Sequence, residues 1–316
     1  MGVQIREKKM HYVIGDVHGC YEDCMRLIKK IEREDNYARF IFIGDVIDRG
    51  PDSVKMLRWC MEHVKEGGKY QMLMGNHELM FMEWCSSQWF PYCEGKETSY
   101  KHAYYNTDED LEKEGVLTER DTHKMFAFLK KLPLVLEKEV ISPDGRQQYV
   151  LAHAWAKEEE MQQIRDHSRQ PVHFFRTFLL DRAGVQADAA YDKEGRRILV
   201  HGHTPTISED VYTQGGVPGR IAYRMHAINV DCGISHGRTE NGLVGNLAAI
   251  CLENLNEYYA YSLQECYART HTEGSVDGKQ LVLEFKRKYH FSRPDMMRLS
   301  MIKQMNGEKQ INLDKR

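Results

Sequence analysis

Three short apolar runs near the start of the chain each end at a glycine that is followed directly by aspartate or asparagine. The runs cover residues 10–14, 39–43 and 69–74, and each has the length of a β-strand. Between consecutive runs, apolar side chains recur at helical spacing, which predicts one helix after the first strand and another after the second. This alternation favours parallel strands with helices packed on the sheet, so the polar residues after the glycines should meet at one edge.

Four motifs lie at the ends of these runs and of a later one: GDVHG at residues 15–19, GDVIDRG at 44–50, GNHE at 75–78 and GHTP at 202–205. Two neighbouring divalent cations need several anionic or imidazole ligands and one carboxylate that bridges them. Asp16 and His18, two positions apart, can converge on one ion, and Asp45 is the natural bridge. The further candidate ligands are Asn76, His153 and His203.

These candidate ligands offer oxygen and nitrogen atoms and no thiolate. Such a donor set suits manganese, iron, zinc or magnesium better than copper(I) or an iron–sulfur cluster. We therefore expect two divalent metal ions as cofactors, with manganese favoured.

Composition narrows the class of protein. The net charge of −3 over 316 residues provides no global basic field, so we expect no stable nucleic-acid partner. No run approaches the ~20 apolar residues that a membrane span needs, and the polar start has no signal-peptide core. The eight cysteines contain no C-x-x-C pair, which predicts reduced, mostly buried thiols and a cytoplasmic location.

The motifs GDxHG, GDxxDRG and GNHE resemble those of calcineurin-like metallophosphoesterases, and more narrowly those of the phosphoprotein phosphatase group. The resemblance extends over residues 10–252. It implies an α/β fold, a four-layer α/β/β/α sandwich of mixed sheets, with the site at the carboxyl ends of the central strands. It also selects His203 over His201 as a ligand. The implied ligands are Asp16, His18 and Asp45 for one metal, and Asp45, Asn76, His153 and His203 for the other.

The resemblance implies roles for other motif residues. Arg49 would bind phosphate oxygens together with Asn76, and a hydroxide bridging the metals would attack phosphorus in line. His77 would protonate the leaving oxygen as a general acid, and Asp48 would orient its ring. A second phosphate-binding arginine is expected in FLLDR at residues 178–182, which favours Arg182. Arg176 is the alternative, because Leu180 stands where the family has tryptophan.

The motifs indicate the reaction, metal-dependent hydrolysis of a phosphoester, but they leave two substrate classes open. A protein serine/threonine phosphatase is the favoured interpretation, and a symmetrical bis(nucleosyl)-tetraphosphatase that cleaves diadenosine tetraphosphate to ADP is the alternative. The expected partner is thus a phosphoprotein or a nucleotide. An inactive binding module on the same fold is disfavoured, because the full ligand set and Arg49, His77 and Asp48 are intact.

The catalytic domain is expected over residues 1–264, with an aromatic insertion at about 83–121 that either packs onto the domain or lines a substrate groove. Residues 265–316 form a basic C-terminal extension, with nine Lys or Arg against four Asp or Glu from residue 281 onward. The helices are predicted at residues 20–34 and from Asp52 or Ser53 to Gly67. The later strands are predicted at 148–152, 197–200, 227–230, 246–252 and 258–263, and the short spacers between the last of them predict antiparallel hairpins.

Overall fold

The computed structural model describes residues 9–89, 106–143, 145–155, 164, 176, 178–182, 197–208, 217–224, 226–239 and 242–262. Two five-stranded mixed sheets form its framework. The first sheet contains β1 (His11–Ile14), β2 (Arg39–Phe42), β3 (Tyr70–Met72), β9 (Asn246–Cys251) and β10 (Glu257–Tyr261). The second sheet contains β4 (Val135–Ser142), β5 (Gly145–Ala152), β6 (Arg197–His201), β7 (Ala222–Arg224) and β8 (Ala227–Asn229).

The first sheet has the order β10-β9-β1-β2-β3. Strands β1, β2 and β3 pair in parallel, as the strand–helix alternation predicts, and β9 and β10 add antiparallel neighbours on the other side of β1. The three motif loops therefore leave the same edge of one sheet.

The second sheet has the order β4-β5-β6-β8-β7. The prediction of antiparallel hairpins among the late strands is confirmed for β9 with β10, but it is wrong for β6 and β8, which pair in parallel. Strand β8 pairs in parallel with β6 and antiparallel with β7, a short strand that the sequence pattern did not predict. Because β6 and β8 run in parallel beside β5, their carboxyl ends also meet at one edge.

Five helices accompany these sheets in the part of the chain that the structure describes. The helices are α1 (Tyr21–Glu32), α2 (Ser53–His63), α3 (Asn76–Trp89), α4 (Thr107–Lys113) and α5 (Glu119–Leu129). Of these, α1 packs against β9 and β10 of the first sheet. Helix α2 ends four residues before the predicted stop at Gly67, and α3 begins inside the third motif itself.

Alternate residues of the central strands face different cores. Phe40 and Phe42 pack in the cluster that contains Leu27 of α1 and Leu57 of α2, whereas Ile41 packs in the cluster between the two sheets. Because both faces of the first sheet are covered at its centre, β1 and β2 bury every residue after their first, which explains their continuous apolar runs. The predicted α/β sandwich of mixed sheets is thus confirmed.

Some sequence predictions fall outside the described residues. These are the aromatic stretch at residues 90–105 and the whole C-terminal extension at 265–316. The six cysteines in the described residues are free and buried, as predicted. Over the same residues, no helix has the length and apolar character needed to cross a membrane.

Candidate metal centre

The candidate ligands converge where the two sheets present their carboxyl ends. Asp45 belongs to two groups of potential ligands, and in each group the donor atoms lie within 4.8 Å of one another. One group contains His18 and His77, and the other contains His153 and His203. All of these residues are buried. The Asp45 carboxylate is therefore common to two neighbouring groups of potential ligands.

Hydrogen bonds orient two of the imidazoles. The Nδ1 atom of His18 lies 3.0 Å from the Ile47 carbonyl oxygen, and that of His153 lies 3.2 Å from the Ile43 carbonyl oxygen. A donated Nδ1–H leaves the Nε2 lone pair available to a metal. These Nε2 atoms approach Asp45 Oδ2 at 3.8 and 3.4 Å.

Asn76 lies between the two histidines of the second sheet. Its Oδ1 atom is 2.8 Å from His153 Nε2 and 2.7 Å from His203 Nδ1. On the other side of the His203 ring, Arg182 Nε donates to Nε2 at 3.2 Å. Arg176, the alternative second arginine, instead forms an ion pair with Glu83 at 3.0 Å. Of the two arginines, Arg182 is the one that reaches this centre.

Asp16 lies beside the centre but belongs to neither group of three. Its carboxylate accepts the backbone N–H of His203 at 3.2 Å. Burial, then the carboxylates of Asp231 and Asp45, raise the pKa of Asp16 well above its ordinary value. Burial also raises the pKa of Asp231 to about 6. Buried carboxylates crowded in this way indicate a place where positive charge is needed.

The imidazoles complement those carboxylates. Burial, then Arg49, holds the pKa of His18 well below its ordinary value, and burial with His153 does the same for His203. Neutral imidazole is the form that binds metals. Although burial opposes both shifts, the charges of His153 and His77 hold the pKa of Asp45 well below its ordinary value, and Asp45 raises the pKa of His153. A cation bound there would therefore displace a proton from His153. Carboxylate oxygens and neutral imidazole nitrogens fit a pair of divalent cations.

A second group of contacts adjoins the shared carboxylate. His77 Nδ1 lies 2.8 Å from Asp48 Oδ2, and His77 Nε2 lies 3.9 Å from Asp45 Oδ2. Arg49 Nη2 is 3.3 Å from the same Nε2 atom. The predicted general acid, its orienting carboxylate and the predicted phosphate-binding arginine are thus contiguous.

The backbone at this centre adopts an unusual conformation. His18, Asp45, Asp48, Arg49 and His203 have φ angles of 47°, 51°, 66°, 67° and 67°. Non-glycine residues enter this left-handed region at a cost of order 1–3 kcal/mol, and such strain concentrates at functional sites.

A family model described as calcineurin-like phosphoesterase matches residues 12–216. The chain belongs to the calcineurin-like phosphoesterase family. It is therefore a metal-dependent phosphoester hydrolase, and the centre lies within the matched region except for Asp231.

Individual relatives carry more specific names. An asymmetrical bis(5'-nucleosyl)-tetraphosphatase of Oceanobacillus iheyensis is 26% identical over 237 residues, which is 71% of this chain and 84% of that protein. A symmetrical bis(5'-nucleosyl)-tetraphosphatase of Coxiella burnetii is 29% identical over 143 residues, which is 45% of this chain and 40% of the relative. The structure of a protein serine/threonine phosphatase from Saccharomyces cerevisiae, described as similar to human phosphatase PP5, aligns with a TM-score of 0.46. That alignment has 14% identity and covers 85% of this chain and 83% of the other.

This phosphoesterase also uses residues to which the sequence assigned no role. Glu78, the last letter of GNHE, accepts the backbone N–H groups of Asp45, Val46 and Gly75 at 2.8, 2.8 and 2.9 Å. It therefore ties the second motif loop to the third. Burial, then the nearby Asp45, raises the pKa of Glu78 to about 7. Its position inside a motif was the available signal, whereas nothing in the sequence singled out Thr107, which contacts Asp48.

Proposed function

We propose that this phosphoesterase is a dinuclear-metal hydrolase in which Asp45 would be a ligand common to two divalent cations. The observation that carries the proposal is the sharing of the Asp45 carboxylate between two ligand groups, next to the His77–Asp48 contact. His18 and Asp16 would complete one site. Asn76, His153 and His203 would complete the other.

Two divalent ions, manganese being the favoured pair, would generate a nucleophile from water at neutral pH and neutralise charge on the phosphate. The residues around them have separate tasks. His77 would carry a proton on Nε2 and deliver it to the leaving oxygen as the bond from phosphorus to that oxygen breaks. Its Nδ1–H donates to Asp48, which holds the ring in the required orientation.

Arg49 is placed to exchange partners when substrate binds. A guanidinium only donates, so its contact with His77 Nε2 uses the lone pair of that nitrogen. Among the described residues, Arg49 Nε has no hydrogen-bond partner although it is buried. A phosphate would accept from this guanidinium in a bidentate manner and leave His77 Nε2 able to hold its proton. Arg182, next to His203, would bind the same phosphate from the other side.

We infer that the substrate is a bis(5'-nucleosyl) tetraphosphate. The names of the relatives support this substrate, and the asymmetrical one aligns with 71% of the chain. Asymmetrical hydrolysis of diadenosine tetraphosphate would yield ATP and AMP, and symmetrical hydrolysis would yield two molecules of ADP.

A protein serine/threonine phosphatase, the interpretation that the sequence favoured, is the second candidate. The buried His77–Asp48 pair supports it. A serine alkoxide is a poor leaving group that needs a proton, whereas a nucleotide phosphate leaves with much less help.

One comparison tests these candidates. The manganese-loaded full chain is given diadenosine tetraphosphate and a phosphoserine peptide in parallel, and kcat/KM is measured for each while nucleotide products are separated by chromatography. Faster cleavage of the dinucleotide is expected, and ATP plus AMP, or ADP alone, identifies the bond that breaks. Faster release of phosphate from the peptide would contradict the tetraphosphate proposal. An Asp45→Asn preparation, purified identically, controls for contaminating phosphatases.

A further inference from the structure

The carboxylate of Asp48 has more partners than His77. Asp48 is completely buried, and its Oδ2 atom accepts from His77 Nδ1. Its Oδ1 atom accepts three further hydrogen bonds, from Asn106 N at 3.2 Å, Thr107 N at 3.1 Å and Thr107 Oγ1 at 2.5 Å. The hydroxyl contact is the shortest of the three.

These donors come from a distant part of the chain. Asn106 and Thr107 lie 58 and 59 residues after Asp48, where α4 begins, inside the region that the sequence marks as an insertion. Asn106 Nδ2 also donates to the Gly50 carbonyl oxygen at 3.3 Å. The insertion is therefore attached to the second motif loop at the residue that holds the imidazole of His77.

We propose that Thr107 is a positioning residue that acts through Asp48 on the proton transfer from His77. The proposal rests on the general-acid role proposed above for His77. Two backbone N–H groups and one hydroxyl hold Oδ1, which leaves Oδ2 directed at His77 Nδ1. Without the hydroxyl, the carboxylate can rotate toward the remaining donors and the imidazole loses its fixed orientation.

The burial of Thr107 makes its hydroxyl hard to replace. Its side chain is fully inaccessible to solvent, so bulk water does not reach the vacated position. Hydrogen bonds from a hydroxyl to a carboxylate are also stronger than those between neutral groups. A substitution that keeps the side-chain volume of Thr107 and removes its hydroxyl should therefore disturb the orientation of the His77 imidazole.

A leaving-group comparison separates positioning from a purely structural role. The metal-loaded full chain is assayed on p-nitrophenyl phosphate, whose leaving group needs little protonation, and on phenyl phosphate, whose leaving group needs more. Thr107→Val should lose about tenfold more kcat on phenyl phosphate than on p-nitrophenyl phosphate, since general acid catalysis as a whole contributes about 100- to 10,000-fold. Thr107→Ser, which keeps the hydroxyl, should show the wild-type ratio.

Thr118→Val is the matched control. The Thr118 hydroxyl caps α5 by accepting from Asp121 N at 3.1 Å, so its loss should lower stability and leave the ratio of the two rates unchanged. Thr107→Ala serves as a second hydroxyl-free variant if Thr107→Val folds poorly. Metal content and the unfolding midpoint are measured for every variant.

Three results would overturn the proposal. Equal losses on both esters in a folded, metal-loaded Thr107→Val protein would do so, as would a Thr107→Ser protein that behaves like Thr107→Val. In both cases His77→Asn still discriminates between the esters, and the general acid stands. If His77→Asn loses equally on both esters, the general-acid role fails and the Thr107 proposal fails with it.

Discussion

At the scale of single residues, the role of each histidine at this centre depends on which group its Nδ1 atom contacts, because that contact determines where Nε2 points. His18 and His153 each use Nδ1 on a backbone carbonyl, which directs Nε2 at Asp45. His77 instead uses Nδ1 on the Asp48 carboxylate, although its Nε2 also approaches Asp45. A backbone carbonyl suits a ligand, and a carboxylate suits a ring that must carry positive charge.

Two substitutions distinguish a ligand from an acid. Asp45→Asn should hold fewer than two metals and lose at least roughly 100-fold in kcat, since changes that only support a ligand already cost about 10–100-fold. His77→Asn should keep both metals while losing activity. Metal analysis of the purified proteins, together with kcat, makes the comparison.

The control for this pair is Asp35→Asn. Asp35 accepts a hydrogen bond from the Tyr12 hydroxyl and precedes β2, at the opposite end of the strand from Asp45. It should keep wild-type metal content and rate. A His77→Asn protein with one metal would make His77 a ligand, and an Asp45→Asn protein with two metals would remove the bridge.

At the scale of elements, the glycines of the motifs let neighbouring loops approach one another. A Cβ atom on Gly75 would overlap Asp45 Oδ1, and one on Gly202 would overlap Asp16 Oδ1. Neither glycine has a positive φ angle, so close approach, rather than backbone conformation, excludes a side chain at these positions. The loop after β6 can thus lie directly on the loop after β1.

Gly202→Ala should therefore displace the Asp16 carboxylate. We expect a loss of about 1–3 kcal/mol in the free energy of unfolding from overpacking, together with reduced metal binding. Gly67→Ala is the control, because its Cβ meets nothing within 4 Å and only its φ of +63° opposes the change. It should lower stability by roughly 1–2 kcal/mol without affecting metal content. Denaturant unfolding and metal titration of both variants test this, and normal metal affinity in Gly202→Ala would contradict it.

At the scale of the whole molecule, the centre joins the two sheets. Asp16, Asp45 and Asn76 follow strands of the first sheet, and His153 and His203 follow strands of the second. Cations bound by both sets would stabilise the sandwich as well as catalyse hydrolysis, because ligands that bind only the folded state raise its stability.

Chelation should therefore lower the thermal midpoint, and by more at pH 8 than at pH 5.5. Burial raises the pKa of Asp16, of Asp231 to about 6 and of Glu78 to about 7. In the metal-free fold these groups hold protons to a higher pH than in the unfolded chain, so their ionisation destabilises that fold as the pH rises toward 7. A nearby cation favours the ionised form of each of these carboxyl groups, so the metal-dependent part of the stability grows over the same interval.

A free metal concentration of about 100 times Kd adds roughly 2.7 kcal/mol to the free energy of unfolding. In a domain of this size, that gain corresponds to a rise of roughly 5–10 °C in the thermal midpoint. Calorimetry of the manganese-loaded and chelated protein at both pH values measures the difference. A difference that is equal at the two pH values would show that no buried proton competes with the metals.

The sequence alone determined those features of the fold and the site that depend on residues close together along the chain. Strand, glycine and ligand follow one another within each motif, so β1, β2, β3 and their parallel order could be predicted, and the same edge had to receive Asp16, Asp45 and Asn76. The tertiary structure alone decided contacts between distant segments: the parallel pairing of β8 with β6, the support of two loops by Glu78, and the hydroxyl of Thr107 on Asp48. Local periodicity reports which face of an element is buried, but not which buried polar atom of another element will meet it, because that depends on how the elements pack.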